Sequence, residues 1–238
     1  MKRYGLIGYP LTHSFSPSFF NEKFSKSNLD ATYESIEIED LSNAMPHFEF
    51  SLYHGLNVTI PHKERIISFL DGLSNEARLI GAVNCIEIAG AQSIGHNTDW
   101  IGFKRAIERL IKPYHQSALV LGSGGSSKAV RFALEALKIK YQVISRTGVN
   151  TYEALQEKDV QSNLVIINTT PLGMYPNVKL KPAIPFNAIS KNHLVFDLIY
   201  NPDQTTFLKE CKAHGAQVKN GLEMLELQAE ASWEIWNS

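Results

Sequence analysis

The chain has 238 residues, of which 44% are hydrophobic, and a formal charge of -1 at pH 7. This length and apolar content predict a sizeable buried core, divided between two lobes. The near-neutral charge and the lack of a polybasic stretch argue against binding to nucleic acid or to a membrane surface. No apolar run approaches the roughly 20 residues of a membrane helix, and no signal-type segment precedes the first predicted strand, so we expect a cytoplasmic protein.

The cysteines and histidines do not indicate a disulfide framework or a metal site. Cys85 and Cys211 stand far apart in the chain, and neither belongs to a C-x-x-C pair, so we expect reduced, structural thiols. The eight histidines show no ligand spacing. We therefore predict that the protein holds no metal.

The first part of the chain alternates short apolar runs with helical patterns. Strands are predicted at residues 4–9, 32–38, 56–60, 83–88 and 93–95. Helices are predicted at residues 17–24, 41–50, 62–70 and 75–80. This alternation is typical of an α/β fold with a largely parallel sheet.

Polar residues stand near the ends of these predicted strands. Ser14 and Ser16 lie two residues apart on one side of an extended segment before a helix, where they could hold a carboxylate. Alternatively, Ser16 caps a helix that begins at Pro17. Asn57 and Thr59 share one face of the third strand, whose other face is apolar.

Three further residues have both a functional and a structural interpretation. Lys63 is predicted in the first turn of a helix, where the macrodipole disfavours a cation, so it is either a chemical group or a solvated lysine. Asn84 is polar within an apolar strand, and Asp99 is either functional or a helix cap. Ligands of open α/β sheets bind at strand ends, so the joint occurrence of these residues favours a binding site.

A glycine-rich turn joins the apolar strand at residues 118–121 to a helical segment. The turn reads Gly122-Ser123-Gly124-Gly125-Ser126-Ser127, which is the G-x-G-x-x-G/A dinucleotide pattern with Ser127 at the third glycine. Its backbone amides could bind a phosphate, and the alternative is a glycine turn without a cofactor. Arg146 ends the second strand where an NAD-binding protein would carry an acid, which favours NADP.

The rest of this lobe continues the same alternation. Further strands are predicted at 164–168, 194–198 and 217–219, and further helices at 152–157, at 205–214 and after Gly221. The loop at 169–174 could line the nicotinamide side of a cofactor or be a plain connection. Gln228 places an amide on the mostly apolar face of the last helix, where it binds either a ligand or core partners.

Taken together, these motifs resemble shikimate dehydrogenase along nearly the whole chain. The matching segments are Gly8-Tyr9-Pro10, His13-Ser14-Phe15-Ser16-Pro17, Asn57-Val58-Thr59-Ile60-Pro61-His62-Lys63, Gly81-Ala82-Val83-Asn84, Asn97-Thr98-Asp99, the glycine turn, Ser145-Arg146-Thr147, Asn168-Thr169-Thr170-Pro171-Leu172-Gly173-Met174, and Asn220-Gly221-Leu222-Glu223-Met224-Leu225 with Gln228. The resemblance implies an oxidoreductase that reversibly reduces 3-dehydroshikimate with NADPH, in the pathway to chorismate and the aromatic amino acids. It also implies a small-molecule substrate and a monomer or homodimer.

The resemblance further implies a domain division and a role for each site residue. Residues 1–98 with 222–238 would form the substrate domain, and residues 99–221 a Rossmann-type NADP domain, with a cleft between them. Lys63 and Asp99 would be the catalytic pair. The implied substrate ligands are Ser14 and Ser16 on the carboxylate, and Asn57, Thr59, Asn84, Tyr200 and Gln228. The implied cofactor ligands are Gly122, Ser123, Gly124, Gly125, Ser126, Ser145, Arg146, Thr147, Thr169, Pro171, Met174 and Gly221.

The chain departs from the family pattern at two places. Phe20 stands where the family often has a histidine, and we expect no functional loss from it. Residues 148–150 lack the further basic residue often found there, so the 2′-phosphate would have fewer basic partners. One alternative function is a quinate/shikimate dehydrogenase that uses NAD, which Arg146 disfavours. The other is a non-catalytic NADP-binding module, which the presence of both Lys63 and Asp99 disfavours.

Overall fold

Residues 1–12 and 14–238 are described by the computed structural model, and His13 of the second matching motif lies outside the described residues. The described chain divides into two units, Met1–Thr98 with Ala229–Ser238, and Asp99–Gln228. The second division falls at residue 228, inside the last helix, whereas the sequence suggested residue 221. The predicted α/β class with two lobes is confirmed.

The strands and helices alternate along most of the chain. The strands are β1 (Lys2–Gly8), β2 (Ala31–Glu37), β3 (Gly55–Val58), β4 (Gly72–Leu73), β5 (Cys85–Ala89), β6 (Gln92–His96), β7 (Ser117–Leu121), β8 (Lys140–Ile144), β9 (Val165–Asn168), β10 (Leu194–Asp197) and β11 (Gln217–Lys219). The helices are α1 (Phe15–Lys26), α2 (Leu41–Ala44), α3 (Asn75–Ile80), α4 (Asp99–Ile107), α5 (Gly125–Ala136), α6 (Glu157–Ser162), α7 (Thr206–Ala213) and α8 (Leu222–Trp236). Within residues 1–12 and 14–238, no helix combines the length and the apolar character needed to cross a membrane.

The sheet of the first unit has the order β2-β1-β3-β5-β6-β4. β1 pairs in parallel with β2 and β3, and β4 with β6. β5 is antiparallel to both of its neighbours, β3 and β6. Most of the strand pairs are therefore parallel, as the alternation of strands and helices predicted.

An aromatic cluster fills the side of this sheet that α1 covers. Phe20 and Phe24 are four residues apart on α1, so both face the sheet, where they pack on Tyr4 and Tyr33. Trp236 from the end of α8 joins the cluster and donates its indole N–H to the Ile86 carbonyl at 3.0 Å. The end of the chain is thereby part of the core of the first unit.

The second unit contains a parallel sheet of the order β11-β10-β9-β7-β8. The strand β7, which lies between β9 and β8, is buried on both faces: Ala118 and Val120 belong to one core cluster, and Leu119 and Leu121 to the other. Coverage of both faces is what a parallel sheet with crossover helices requires, and it explains why this strand reads as a continuous apolar run.

Three predicted helices are wrong in place or type. The segment predicted as helix 62–70 contains only a 3-10 helix, Arg65–Phe69. The Lys63 carbonyl accepts the Val83 N–H at 2.7 Å, so it does not accept a hydrogen bond within an α-helix. The predicted helix 41–50 stops at α2, since a proline follows and 3-10 turns replace it. The helix predicted at 152–157 begins only at α6, where Gln156 and Asp159 form a capping box.

Candidate active site

Ser14 and Ser16 lie at the beginning of α1, close to the end of β1. Ser14 is the extended N-cap residue, with φ -76° and ψ 133°, and its side chain makes no capping hydrogen bond. Ser16 lies within the first turn and is buried. Both sequence interpretations therefore need correction: the two serines do not share an extended segment, and the helix begins before Pro17. The hydroxyl of Ser14 is not used by the helix.

Asn57, on β3, is the centre of a buried polar cluster in the first unit. Its amide nitrogen donates to the Asn84 carbonyl and to the Ser232 hydroxyl, each at 3.0 Å. Its amide oxygen accepts from the Tyr33 hydroxyl at 2.7 Å. Thr59, two residues further, is half-buried just beyond the strand, and its N–H donates to the Ile7 carbonyl at 2.8 Å.

Asn84 is locked onto the segment that follows β6. Its amide oxygen accepts the Thr98 N–H at 2.6 Å, and its amide nitrogen donates to the Thr98 hydroxyl at 2.9 Å. That hydroxyl also lies 3.0 Å from the Ser232 hydroxyl. Asn57 and Asn84 thus belong to one network, in which every side chain is buried.

Lys63 is half-buried in the turn that follows β3. The prediction that it occupies the first turn of an α-helix is wrong, so the argument from the helix macrodipole does not apply to it. Its position is fixed instead by the backbone bond to Val83, the residue before Asn84. The lysine is therefore anchored beside the polar cluster of the first unit.

Asp99 and Gln228 both belong to the second unit, on α4 and α8. Asp99 is buried as the first residue of α4, where the helix macrodipole stabilises a carboxylate. Gln228 is also buried, and its amide nitrogen donates to the Leu225 carbonyl at 2.9 Å. The two helices touch at Gly102, where an added Cβ would lie 2.9 Å from the Gln228 Cβ.

The glycine-rich turn connects β7 to α5 in the predicted way. Gly122 has φ +113°, which favours glycine, and its N–H donates to the Ile144 carbonyl at 2.8 Å. Ser127 is buried and donates its hydroxyl to the Gly122 carbonyl at 2.7 Å, so the residue at the third glycine position closes the turn. Ser123 and Gly124 are exposed, and a Cβ on Gly124 would meet no atom within 4 Å. This open space at the N-terminus of a 12-residue helix fits a phosphate group.

Ser145, Arg146 and Thr147 follow β8 directly. Ser145 bridges to Thr151 and donates its hydroxyl to the Thr147 carbonyl, which folds the segment into a tight turn. Arg146 and Thr147 are exposed on this turn. Burial raises the pKa of the nearby Tyr152 phenol to about 12, and the positive charge of Arg146 opposes this rise.

The remaining predicted cofactor residues stand on loops after β9 and before α8. The Thr169 hydroxyl donates to the Leu121 carbonyl at 2.8 Å, beside Gly122, whereas Pro171 and Met174 are exposed. A Cβ on Gly221 would collide with the carbonyl of Leu198, which explains the need for glycine there.

The loop after β9 is held by a buried aspartate that the sequence analysis did not single out. Asp197 accepts from the Asn168 amide at 2.9 Å, from the Ile199 N–H at 3.1 Å and from the Thr205 hydroxyl at 2.7 Å. Burial raises its pKa to about 6, although the three hydrogen bonds oppose the rise. Tyr200, predicted as a substrate ligand, follows Ile199 and is half-buried.

Tyr33 and Ser232 belong to the buried network around Asn57 and Asn84, and the sequence analysis missed both as site residues. A tyrosine inside a predicted strand was a usable signal, because a buried phenol usually finds a hydrogen-bond partner. Ser232 gave a weaker signal, a small polar residue on the apolar face of the last helix. Neither partner could be named from the sequence, since 24 and 175 residues separate them from Asn57.

Comparison with known proteins points to one family. A family model for the shikimate dehydrogenase substrate binding domain matches residues 6–86. The shikimate dehydrogenase (NADP(+)) of Methanococcus aeolicus is 41% identical over 257 residues, which cover 99% of this chain and 91% of that protein.

Solved structures agree with this result. Shikimate 5-dehydrogenase from Thermus thermophilus, in complex with NADP(H) and shikimate, has a TM-score of 0.88 and 30% identity, with 99% of this chain and 93% of that chain covered. Quinate dehydrogenase from Corynebacterium glutamicum, in complex with NAD, has a TM-score of 0.87 and 27% identity, with 99% of this chain and 93% of that chain covered. Since relatives more than 30% identical match nearly its whole length, the chain belongs to the shikimate dehydrogenase family.

Proposed function

We propose that Lys63 and Asp99 are the catalytic pair of this chain, which as a member of the shikimate dehydrogenase family reversibly reduces 3-dehydroshikimate to shikimate with NADPH. The observation that supports the proposal best is the anchoring of Lys63 to Val83, at 2.7 Å, beside the buried polar cluster around Asn57 and Asn84. A lysine whose backbone is held next to a cluster of neutral hydrogen-bonding groups suits the reduction of a hydroxylated ketone.

The reaction sets the roles of the two residues. When bound, NADPH supplies a hydride to the carbonyl carbon of the substrate. Negative charge develops on the carbonyl oxygen, and Lys63 stabilises that charge and delivers a proton to the oxygen. The carboxylate of Asp99 accepts a charge-assisted hydrogen bond from a substrate hydroxyl.

The substrate is a small polyhydroxylated carboxylic acid. Ser14 and Ser16 bind its carboxylate, and the Ser14 hydroxyl suits this role because it makes no capping bond to α1. The proposed ligands of the substrate's hydroxyl groups are Asn57, Thr59, Asn84, Tyr200 and Gln228.

The cofactor NADP is held by the second unit. The backbone of residues 122–126 binds the pyrophosphate, which the open space above Gly124 supports. Ser145, Arg146 and Thr147 bind the 2′-phosphate, and the exposed guanidinium of Arg146 suits this role. The nicotinamide end is bound by Thr169, Pro171, Met174 and Gly221.

A spectrophotometric assay tests this function. The purified protein should reduce 3-dehydroshikimate with NADPH much faster than with NADH, and should oxidise quinate poorly with either oxidised cofactor. The likeness to a quinate dehydrogenase in complex with NAD makes the quinate arm necessary. Preference for quinate with NAD would replace the proposed substrate and cofactor, and inactivity in every arm would refute the enzyme function.

We also infer a cytoplasmic location and a monomeric or homodimeric state. Both cysteines are buried free thiols, which is typical of proteins from reducing compartments. Light scattering coupled to gel filtration measures the oligomeric state, and a mass above that of a dimer would contradict it.

A further inference from the structure

Tyr33 is held unusually firmly in the core of the first unit. Its ring is 3% exposed and stacks on Phe20, with ring centroids 4.6 Å apart and an angle of 11° between the planes. Its backbone is tied to α1 in both directions: the N–H donates to the Asn21 side-chain oxygen at 2.9 Å, and the carbonyl accepts from the Asn21 amide at 2.8 Å. The direction of the phenol group is therefore fixed.

The hydroxyl of Tyr33 contacts the amide oxygen of Asn57, because the amide nitrogen of Asn57 is bonded to other members of the network. The Asn84 carbonyl can only accept, so the amide nitrogen of Asn57 must face it, and its second hydrogen goes to Ser232. The amide oxygen of Asn57 then faces Tyr33, which donates to it at 2.7 Å. Since both amide hydrogens of Asn57 are used, Asn57 can offer a ligand only the second lone pair of its oxygen.

The hydroxyl of Tyr33 acts as a hydrogen-bond donor. Burial raises the pKa of Tyr33 well above its usual value, although the Ser16 side chain opposes the rise. The phenol consequently keeps its proton at neutral pH and can donate it to Asn57. Phe20, stacked on the ring, offers no competing hydrogen-bonding group. One hydroxyl on β2 thus holds an amide on β3.

We propose that Tyr33 is a positioning residue for the substrate, which holds the Asn57 amide in the orientation that binds a hydroxyl of the substrate. The inference rests on the proposed role of Asn57. It assigns Tyr33 no contact with the cofactor, because the residue lies in the core of the first unit.

Tyr33→Phe tests the proposal, with Tyr4→Phe as its matched control. Tyr4 belongs to the same aromatic cluster and is fully buried, but within residues 1–12 and 14–238 its hydroxyl has no hydrogen-bond partner. Tyr33→Phe should raise KM for 3-dehydroshikimate and Kd for shikimate about 10-fold and leave KM for NADPH within about twofold. Tyr4→Phe should change none of the three by more than about twofold.

A double-mutant cycle separates positioning from a merely structural role. If Tyr33 acts through Asn57, then Tyr33→Phe should add less than about twofold to the Kd of Asn57→Ala for shikimate. Fully additive losses, or a Tyr4→Phe variant as impaired as Tyr33→Phe, would overturn the inference.

Ser16→Ala distinguishes failure of this inference from failure of the proposed function. Weaker shikimate binding in Ser16→Ala together with normal binding in Tyr33→Phe would overturn the positioning role and leave the substrate site standing. Normal binding in both variants, in a protein that still reduces 3-dehydroshikimate, would overturn the positioning role and the Ser16 assignment together.

Discussion

Lys63 was predicted as a catalytic residue partly because of its expected place in a helix, and that place is wrong. The sequence placed it in an α-helix whose dipole would favour deprotonation. It lies instead in a turn, and the bond between its carbonyl and the Val83 N–H fixes its backbone. The lysine side chain extends from this fixed backbone. The catalytic assignment of Lys63 stays a prediction, and the argument from the helix dipole no longer supports it.

Lys63→Met should lower kcat for 3-dehydroshikimate reduction by about 100-fold or more, because general acid catalysis contributes factors of about 10² to 10⁴. The melting temperature and the Kd for NADPH should stay near the wild-type values, since the backbone bond to Val83 does not need the side chain. Stopped-flow turnover and isothermal titration measure these quantities. Near-normal turnover in a folded variant would remove Lys63 from the mechanism.

Arg146→Ala should raise KM for NADPH by about 10-fold and leave KM for NADH nearly unchanged, because hydrogen bonds to charged groups contribute about 1.5 to 3 kcal/mol. An effect at the lower end of this energy range is expected, because residues 148–150 carry no second basic group. Steady-state kinetics with both cofactors measures the change.

Arg131→Ala is a suitable control for the loss of one arginine from the second unit, since that guanidinium packs on Tyr141 within the unit. It should change the two cofactor KM values equally or not at all. If Arg146→Ala weakens NADPH and NADH alike, Arg146 has a structural role and does not select the 2′-phosphate.

At the scale of the elements, strands were predicted better than helices. β7, β9 and β10 lie within one residue of their predicted bounds, because buried parallel strands read as largely apolar runs between turn residues. The segments after β3 and after α2 have helical spacing but form 3-10 turns. A backbone bond to Val83, which is distant in sequence, removes the helical partner in the first, and a proline does so in the second. Such long-range competition has no local signature.

The contact between α4 and α8 provides a test at this scale. A Cβ on Gly102 would lie 2.5 Å from the Met224 carbonyl and 2.9 Å from the Gln228 backbone nitrogen. Gly102→Ala should therefore push the two helices apart and destabilise the protein by about 1 to 3 kcal/mol, as overpacking does. Because Asp99 and Gln228 stand on these helices, KM for 3-dehydroshikimate should rise as well.

Gly124→Ala is the matched control for stability, since an added Cβ there meets no atom within 4 Å and φ is -77°. Because Gly124 is the N-cap residue of α5, where alanine is less favourable than glycine, the free energy of unfolding of Gly124→Ala should change by less than about 1 kcal/mol. Thermal unfolding of both variants decides the matter: a Gly102→Ala protein as stable as Gly124→Ala would show that the two helices do not need glycine at their contact.

At the scale of the molecule, the candidate site consists of residues that the sequence named and of partners that it could not name. The motifs identified Asn57 and Asn84, but the hydroxyls that orient the amides come from β2 and from α8, near the end of the chain. Pairings over such distances are set by the packing of whole elements. The hydrogen bonds from Asn168, Ile199 and Thr205 in the second unit differ from the network around Asn57, because their common acceptor is an acid, Asp197.

Asp197 should make the stability of the protein depend on pH in the direction opposite to that of an aspartate whose pKa is lowered in the folded state. Its pKa is about 6 in the folded state, against an ordinary value of 3.8. The folded state therefore binds more protons than the unfolded state between these values. The free energy of unfolding falls as the pH rises from about 4 to about 7, by up to about 3 kcal/mol.

Asp197→Asn should flatten this dependence, because the neutral amide can still accept from Asn168 and Ile199 and has no charge to bury. Asp71→Asn in the first unit is the control: hydrogen bonds from Ser93 lower the pKa of Asp71, so the change should leave the slope above pH 4 intact. Because two units need not unfold together, hydrogen exchange of the β9 and β10 amides is the appropriate measurement. If the pH profiles of Asp197→Asn and the wild type run parallel, Asp197 is not the acid that sets the pH dependence, and its three donors hold a carboxylate that is ionised throughout this range.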